Sequence, residues 1–477
     1  MRNFAILPIV FLLLSACSTT PTTTSEVASE EVTFESPNII FIMADDLGYG
    51  DLGCYGQSDI QTPDIDELAA QGIRFTQFYA GSTVCAPSRA VLMTGQHTGR
   101  NQVRGNAGGN IDRQTLRDED ITIAEVLKGA DYQTALVGKW GLGEINQEGH
   151  PLKQGFDSFY GYLNQKHAHN YYPEFLWNNR DSVFLENVVQ RTNNKYGSFV
   201  GGYATEKITY SHDLFVDEAL EFLKQDRSNP FFLYLALTIP HANNEAGKAG
   251  MEVPDYGIYA DRDWPEAQKG TAAMISRMDK DIGRIVETLK ARGIDENTLI
   301  IFTSDNGPHR EGGNDPDYFD SNGPLQGIKR AMHEGGIRVP FIARWPAHTP
   351  AGVTSDYIGY FGDMMATFAE LAKADYPEEH TQSTSIVPTL LGQSENQRSH
   401  NYLYWEFYEQ GSRQAVRMGN WKGIREPMFT GDIQLFNLEN DISETNNVAS
   451  QNPEVVEDIT RIMDEAHEPS PNWVVKQ

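Results

Sequence analysis

The sequence predicts an α/β fold: a large mixed, mainly parallel sheet between helices, followed by a small antiparallel sheet with one helix. Three observations carry this. Short apolar runs bounded by turn residues recur through residues 38–343, helical patterns alternate with them, and from about Asn401 the texture changes to aromatic runs separated by turns. Strands alternating with helices give a sheet covered on both faces, and near-continuous apolar runs suit strands buried on both sides.

In chain order, residues 38–44 form the first such run. Thr62, Pro63 and Asp64 then open a short helix, with Gly72 placed to end it. A strand is expected at 133–138, and Phe215, Ala219, Phe222 and Leu223 share one helix face just before the strand 231–237. Residues 264–290 read as a long helix, and strands at 298–303 and 339–343 complete the sheet. Beyond the polar stretch 374–399, YLYWEF and AVRMGNWKGI read as antiparallel strands, and 453–466 as the helix that covers them. In such an architecture the chemistry gathers at the carboxyl ends of the strands.

The 477 residues, 39% hydrophobic with 42 Gly and 23 Pro, suit one large globular domain with a smaller appendage. With 38 basic against 66 acidic residues the net charge is −28, which excludes nucleic acid as a partner and a basic membrane-binding face. An anionic substrate would have to be attracted locally. Residues 1–17 carry one Arg, an apolar run too short to span a bilayer and then small residues, the pattern of an export signal. Leu14-Ser15-Ala16-Cys17 resembles a bacterial lipobox, in which Cys17 is lipidated; ordinary cleavage beside an incidental Cys17 is the alternative. The expectation is an exported protein, anchored by lipid to a bacterial membrane on its periplasmic side or at the cell surface, with no other membrane contact. Residues 18–36 read as a flexible tether, 37–385 as the main, site-bearing domain and 386–477 as a small C-terminal subdomain.

The only cysteines are Cys17, Cys54 and Cys85, too few for a disulfide framework. A bridge between Cys54 and Cys85 remains open; Cys54 as a small buried hydrophobe is the preferred reading.

Three segments carry chemistry. In Cys85-Ala86-Pro87-Ser88-Arg89, followed by Thr94-Gly95, Pro87 fits the first turn of a helix and sets residue 85 at an N-terminus whose N–H groups favour an anion. A cysteine there could equally be a reactive thiolate. In Ile42-Met43-Ala44-Asp45-Asp46-Leu47-Gly48 a strand ends in two adjacent carboxylates, which is costly unless a cation lies between them. Ile301-Phe302-Thr303-Ser304-Asp305-Asn306-Gly307 repeats the design. Either dyad alone could be a capping turn. Together, Asp45, Asp46, Asp305 and Asn306 offer four hard oxygen ligands, a set suited to Ca²⁺ or Mg²⁺ rather than zinc.

Cys-x-Pro-Ser-Arg with Thr-Gly five residues on, flanked in order by the two dyads, resembles the signature of the type I, cysteine-type sulfatases, whose fold is alkaline-phosphatase-like. The resemblance spans roughly residues 36–466. It implies that Cys85 is oxidised to formylglycine by a maturation enzyme, that one Ca²⁺ sits on the four oxygen ligands, and that the hydrated aldehyde attacks sulfur. Lys139 in Gly138-Lys139-Trp140 and Lys329 in Gly327-Ile328-Lys329 then resemble the family's sulfate-binding lysines, and Arg89, one helical turn after Cys85, would neutralise the site beside the metal and share the charge of the sulfuryl oxygens. His241, after Thr238-Ile239-Pro240, matches the histidine at the ester oxygen.

The chain departs from the family pattern at Gly141, where a histidine usually follows the Lys-Trp pair. His167 and His169 are candidates to stand in or to bind substrate, although a surface loop with incidental histidines is an equal reading. Tyr171 and Tyr172 beyond them would suit sugar recognition. The expected substrate is a sulfated oligosaccharide of galactan or glycosaminoglycan type. Two alternatives stay open: a phosphate or phosphonate ester hydrolase of the same superfamily, and a lipoprotein that binds sulfated glycans without turnover. Modification of Cys85 separates the last from an enzyme.

Overall fold

The computed structural model describes residues 34–107, 110–192 and 201–475, together with residue 1. The chain divides into two compact units, Met1–Glu35 and Ser36–Gln477. The export segment, Cys17 and most of the tether lie outside the described residues. Among the described residues, no helix is long and apolar enough to cross a membrane.

Ser36–Gln477 is built on a ten-stranded sheet. At its centre Asn38–Ala44 runs between Thr298–Ser304 and Phe231–Ala236, parallel to both. Gln133–Lys139 and Ser158–Tyr162 extend the parallel set on one side. On the other, Phe341–Arg344 is antiparallel and leads to Ile73–Phe75 and Val353–Ser355. The hairpin Phe175–Asn178 and Asp181–Phe184 forms the far edge. The central strands are the apolar runs of the sequence because both their faces are covered, and Ile39, Ile40, Phe41, Ile42 and Met43 are wholly buried.

On one face, Ser211–Lys224 and Glu266–Arg292 pack Phe215, Ala219, Met278 and Ile282 against Ile40, Ile42, Leu233 and Leu235. On the other, Phe368 of the helix Asp363–Ala372 meets Phe41 and Phe232 edge-on or tilted. The helices Cys85–Thr94 and Ile123–Gly129 pack beside it. The short helix Pro63–Ala70 forms, with Pro63 in its first turn, but Thr62 does not cap it. The Thr62 hydroxyl instead accepts from Gly53 N at 2.9 Å and donates to Asp66. Gly72 is not the helix cap either: a Cβ there would lie 2.2 Å from the Ala343 carbonyl, so the glycine serves the strand crossing.

The strands Leu403–Phe407, Arg413–Met418, Trp421–Arg425 and Ile433–Asn437 form an antiparallel sheet in sequential order. The helix Pro453–Ala466 covers it, burying Ile459 and Met463 against Tyr404, Val416 and Leu435. Trp405 is fully buried and donates from its ring nitrogen to the Ala80 carbonyl at 2.9 Å, which docks this sheet against the segment leading to Cys85.

Candidate active site

Strand register assembles the acidic half of the site. Ala44 pairs with Ser304, so the two dyads leave adjacent parallel strands side by side. Asp305 N donates to the Ala44 carbonyl at 3.1 Å, and Asp46 N donates to Asp305 Oδ1 at 3.1 Å. Asp46 takes φ 65°, a left-handed conformation that costs a non-glycine residue on the order of 1–3 kcal/mol. It receives Asn306 Nδ2 on Oδ1 at 2.6 Å. Lys139 ends the strand two places along the sheet and sets its ammonium 2.7 Å from Asp45 Oδ2. Its neighbour Gly138, at φ 110°, must be glycine, since a Cβ would meet the Ala236 carbonyl at 1.9 Å.

Cys85 is the first residue of the helix Cys85–Thr94, which Gly95 closes in the left-handed region at φ 70°. Its Sγ lies 3.5 Å from Asp45 Oδ1. Burial pushes the thiol well above its ordinary range, with Lys139 pulling the other way. No disulfide forms: Cys54 and Cys85 are both free. Ala86 N donates to Asn106 Oδ1 at 3.3 Å, which ties the helix that Cys85 opens to the 101–107 segment. Arg89, one turn on and fully buried, donates from Nη1 to the Lys139 carbonyl and from Nη2 to Asp305 Oδ2, both at 2.8 Å.

Lys329 closes the other side. Its Nζ lies 2.7 Å from Asp46 Oδ2, 3.1 Å from His241 Nε2 and 3.5 Å from Glu311 Oε2. Burial works against its charge, but Asp46 and Glu311 more than offset that and hold it protonated. His241 is pinned through Nδ1 to the Ala242 carbonyl at 2.6 Å, so Nε2 turns its lone pair to Lys329. Burial, reinforced by Lys329, keeps the imidazole neutral. Its ring stacks between His169, at 4.8 Å, and His309, at 5.7 Å.

A hard divalent cation fits these residues. Asn306 Oδ1 is buried without a hydrogen-bond partner among the described residues, a lone acceptor next to three carboxylates. Burial, and then Asp45, push Asp305 up to about 6, a carboxylate that a cation would relieve. Ligand atoms of Asp45, Asp46, Cys85 and His241 all lie within 4.8 Å of one another. Asp45, Asp46, Asp305 and Asn306 would hold the ion through oxygen alone. Arg89, Lys139 and Lys329 match the three carboxylates in formal charge, so a divalent cation and a doubly charged anion could enter together without unbalancing the site.

The structure separates the two loop histidines. His169 stacks on His241 and pairs through Nδ1 with Glu245 Oε2 at 3.0 Å, at the edge of the site. His167 is buried against Tyr162 and Phe175, and burial lowers it to about 3. Tyr171 and Tyr172 are core residues, the former with its hydroxyl donating to the Thr238 carbonyl at 2.8 Å, so neither faces a ligand. At Gly141, φ is 79° and a Cβ would lie 2.4 Å from Gln165 Nε2, so Gln165 takes up the space a side chain would need.

Glu311 went unread in the sequence, although it touches Lys329 and ties Arg330 at 2.7 Å. It sits in a turn-rich segment with no strand or motif to mark it. Asn106 went unread for the same reason.

The sequence model described as Sulfatase matches residues 37–374, and the one described as N-sulphoglucosamine sulphohydrolase, C-terminal, matches residues 327–468. The chain is 33% identical to the N-acetylgalactosamine-6-sulfatase of Sus scrofa over 402 residues, covering 81% of this chain and 71% of the relative. It is 31% identical to the N-acetylgalactosamine-6-O-sulfatase of Bacteroides thetaiotaomicron over 499 residues, 90% of this chain and 93% of the other. The crystal structure of Ps i-CgsB in complex with k-i-k-neocarrahexaose superposes with a TM-score of 0.75 at 31% identity, covering 93% of this chain and 96% of that one.

Proposed function

The chain belongs to the sulfatase family and is a sulfuric ester hydrolase, and on that premise we propose that it removes sulfate from a sulfated oligosaccharide of galactan or glycosaminoglycan type, using formylglycine at position 85 and Ca²⁺. The observation that carries the reading is the convergence of Arg89, Lys139 and Lys329 on Asp45, Asp46 and Asp305 around the Cys85 thiol. Two relatives named for N-acetylgalactosamine sulfate and a structural neighbour bound to a carrageenan-type oligosaccharide support a carbohydrate ester.

Formylglycine at position 85 would supply a hydrated aldehyde as nucleophile, and Asp45, Asp46, Asp305 and Asn306 would hold a Ca²⁺ ion that would supply Lewis acidity beside it. The chain's own residues do the rest. Lys139, on Asp45, and Lys329, on Asp46, both stand within electrostatic reach of residue 85 and take up charge that spreads over the sulfuryl oxygens. Arg89 braces that arrangement from below through Asp305 and the Lys139 carbonyl. His241 is fixed through Nδ1, so the Lys329–His241 pair stands where it hands a proton to the departing alcohol. His169, oriented by Glu245, meets the sugar at the rim. Export and lipid anchoring at Cys17 would place the enzyme where extracellular polysaccharide arrives.

Peptide mass spectrometry of Cys85, in protein co-produced with a maturation enzyme, tests the first part. Sulfate release from sulfated oligosaccharides with and without a chelator tests the second. An aldehyde at position 85 with chelator-sensitive sulfate release is expected; an aldehyde with turnover of phosphate esters and no sulfate ester overturns the reading.

A further inference from the structure

Beside the nucleophile's helix a second groove opens, of about 550 Å³, within the roughly 300–1,000 Å³ of small-ligand clefts. Arg113, Tyr408, Glu409, Trp473 and Val474 are among its walls. It is joined to the active site by direct bonds. The Glu409 carboxylate accepts from Asn106 N at 2.9 Å, and the Asn106 side chain accepts from Ala86 N, the residue after Cys85. Glu409 is also within electrostatic reach of Arg330, the neighbour of Lys329. One wall residue of the groove, Glu409, is thus two hydrogen bonds from the residue after Cys85.

Its chemistry is that of a saccharide seat. The Arg113 guanidinium carbon sits over the Trp473 indole, 4.3 Å from the ring centroid, and Tyr408 approaches the same ring, tilted, at 5.6 Å. Nε and Nη2 of Arg113 are committed to the Ala107 and Asn106 carbonyls at 2.9 and 3.2 Å, which fixes the guanidinium plane. Nη1 has no hydrogen-bond partner among the described residues. A fixed guanidinium edge with a spare donor suits a sulfate or carboxylate; Glu409 on the same wall attracts Arg113 as well, but its Oε1 is taken by Asn106 N, and no hydrogen bond joins it to the guanidinium among the described residues. Trp473 is only 3% exposed and backs Arg113, so the apolar surface left to a ligand is that of half-buried Tyr408 and exposed Val474; with the carboxylate and the guanidinium beside it, this matches a pyranose, which offers an apolar face and a polar rim.

We propose that this groove holds the sugar adjoining the one that loses its sulfate, and that Arg113 takes a negatively charged substituent of that neighbour. The inference rests on the carbohydrate reading above and adds that the substrate is polyanionic and at least a disaccharide. The test compares kcat/KM on a chromogenic aryl sulfate, on a sulfated monosaccharide, and on that sugar joined to a neighbour that is neutral, carboxylated or sulfated. Two variants are used. Arg113→Gln removes the cation, and Val474→Glu, at an exposed position, adds an opposing charge without touching the backbone ties of Arg113. The expected result is about a tenfold fall, in both variants, in the ratio of kcat/KM on the charged disaccharide to that on aryl sulfate, with the neutral neighbour less affected. The carboxylated and sulfated arms tell which anion is read. Equal losses on every substrate, or no loss on any, overturn the groove while monosaccharide turnover leaves the carbohydrate reading standing. Sulfate release from aryl sulfate and from no saccharide overturns both.

Discussion

The charge balance of the site makes its sharpest prediction. Three carboxylates, Asp45, Asp46 and Asp305, face three cations, Arg89, Lys139 and Lys329, and all six side chains are at most 3% exposed. A divalent cation entering alone leaves two positive charges uncompensated, and a sulfate ion alone leaves two negative ones. Each uncompensated buried charge costs several kcal/mol in order of magnitude, so the coupling between the two ligands should reach the upper end of the usual range, about 3 kcal/mol or roughly 100-fold in Kd. Calorimetric titration of inorganic sulfate with and without saturating Ca²⁺ measures it. Thermal unfolding gives an independent reading: Ca²⁺ at about 100 times its Kd adds about 2.7 kcal/mol, a rise of about 3 °C for a unit of this size, and sulfate added with it should raise Tm by more than the sum of the separate shifts. Asn306→Leu, which removes the unpartnered acceptor, should weaken the Ca²⁺ shift. Strictly additive shifts, or a Ca²⁺ shift untouched by Asn306→Leu, would refute the charge argument and the assignment of the ligands.

Three further outcomes follow from single contacts. Arg89→Lys keeps a charge but cannot reach both Asp305 and the Lys139 carbonyl, so denaturant unfolding should show a loss of about 3 kcal/mol and kcat a fall of about 100-fold. Gly141→His meets φ 79° and the Gln165 side chain; it should cost about 1–2 kcal/mol from the left-handed backbone, and Gln165→Gly should leave that backbone part of the cost in place. Glu444 is raised to about 7 by burial, with Glu334 adding to the effect and Lys422 opposing it. Its folded pKa exceeds its unfolded one, so the folded state binds the extra proton, stability is greatest below about pH 4.5 for this group and is lost as pH rises through 7, by at most about 3 kcal/mol. Glu334, held down to about 2 by Lys422 and its arginines against burial, contributes the opposite trend only below the range of an ordinary carboxylate. Urea midpoints between pH 5 and 8 should fall more steeply in the native protein than in Glu444→Gln, which keeps only the slope from other raised carboxylates such as Asp305 and Asp279.

What the sequence shows plainly is what strands carry. Asp45, Asp46, Asp305, Asn306 and Lys139 stand at the ends of apolar runs, and a parallel sheet delivers neighbouring strand ends to one place whatever the loops do. Arg89 is visible because a helix fixes it one turn from Cys85. Groups brought by loops across long separations are not visible in this way. Glu409 reaches Asn106 across 303 positions and Arg104 approaches Glu406 across 302, and no local period marks either. The aromatic residues after the 164–170 loop misled for a related reason. Polar neighbours suggest exposure, yet Tyr171 and Tyr172 turn inward against Tyr210 and the core. Thr62 carries the right side chain for a cap, but Gly53 N competes successfully for its hydroxyl.

The small C-terminal sheet has a part in the chemistry that its distance in sequence conceals. Lys329 sits on a segment with no strand or helix of its own before Glu334–Ile337, and a lysine there would move unless the segment were held from outside. Lys329 N donates to the Pro308 carbonyl and Arg330 N to the Thr83 carbonyl, which tie it to the Asp305 turn and to the approach to Cys85. Glu311 and Thr83 add side-chain ties to Arg330 and Ala331, and a further set comes from the C-terminal residues. The Ser443 hydroxyl donates to the Pro324 carbonyl at 2.7 Å, Glu334 N donates to the Glu444 carboxylate at 2.6 Å, and the buried Lys422 joins Glu334 to Glu444. Replacing those ions by well-packed apolar residues would often cost little stability. Hydrogen-bonded charges hold one geometry where apolar packing tolerates several, and one geometry is what a lysine 2.7 Å from Asp46 requires. The C-terminal subdomain thus holds the segment that sets Lys329 against Asp46 without contributing a side chain to the cluster around Cys85.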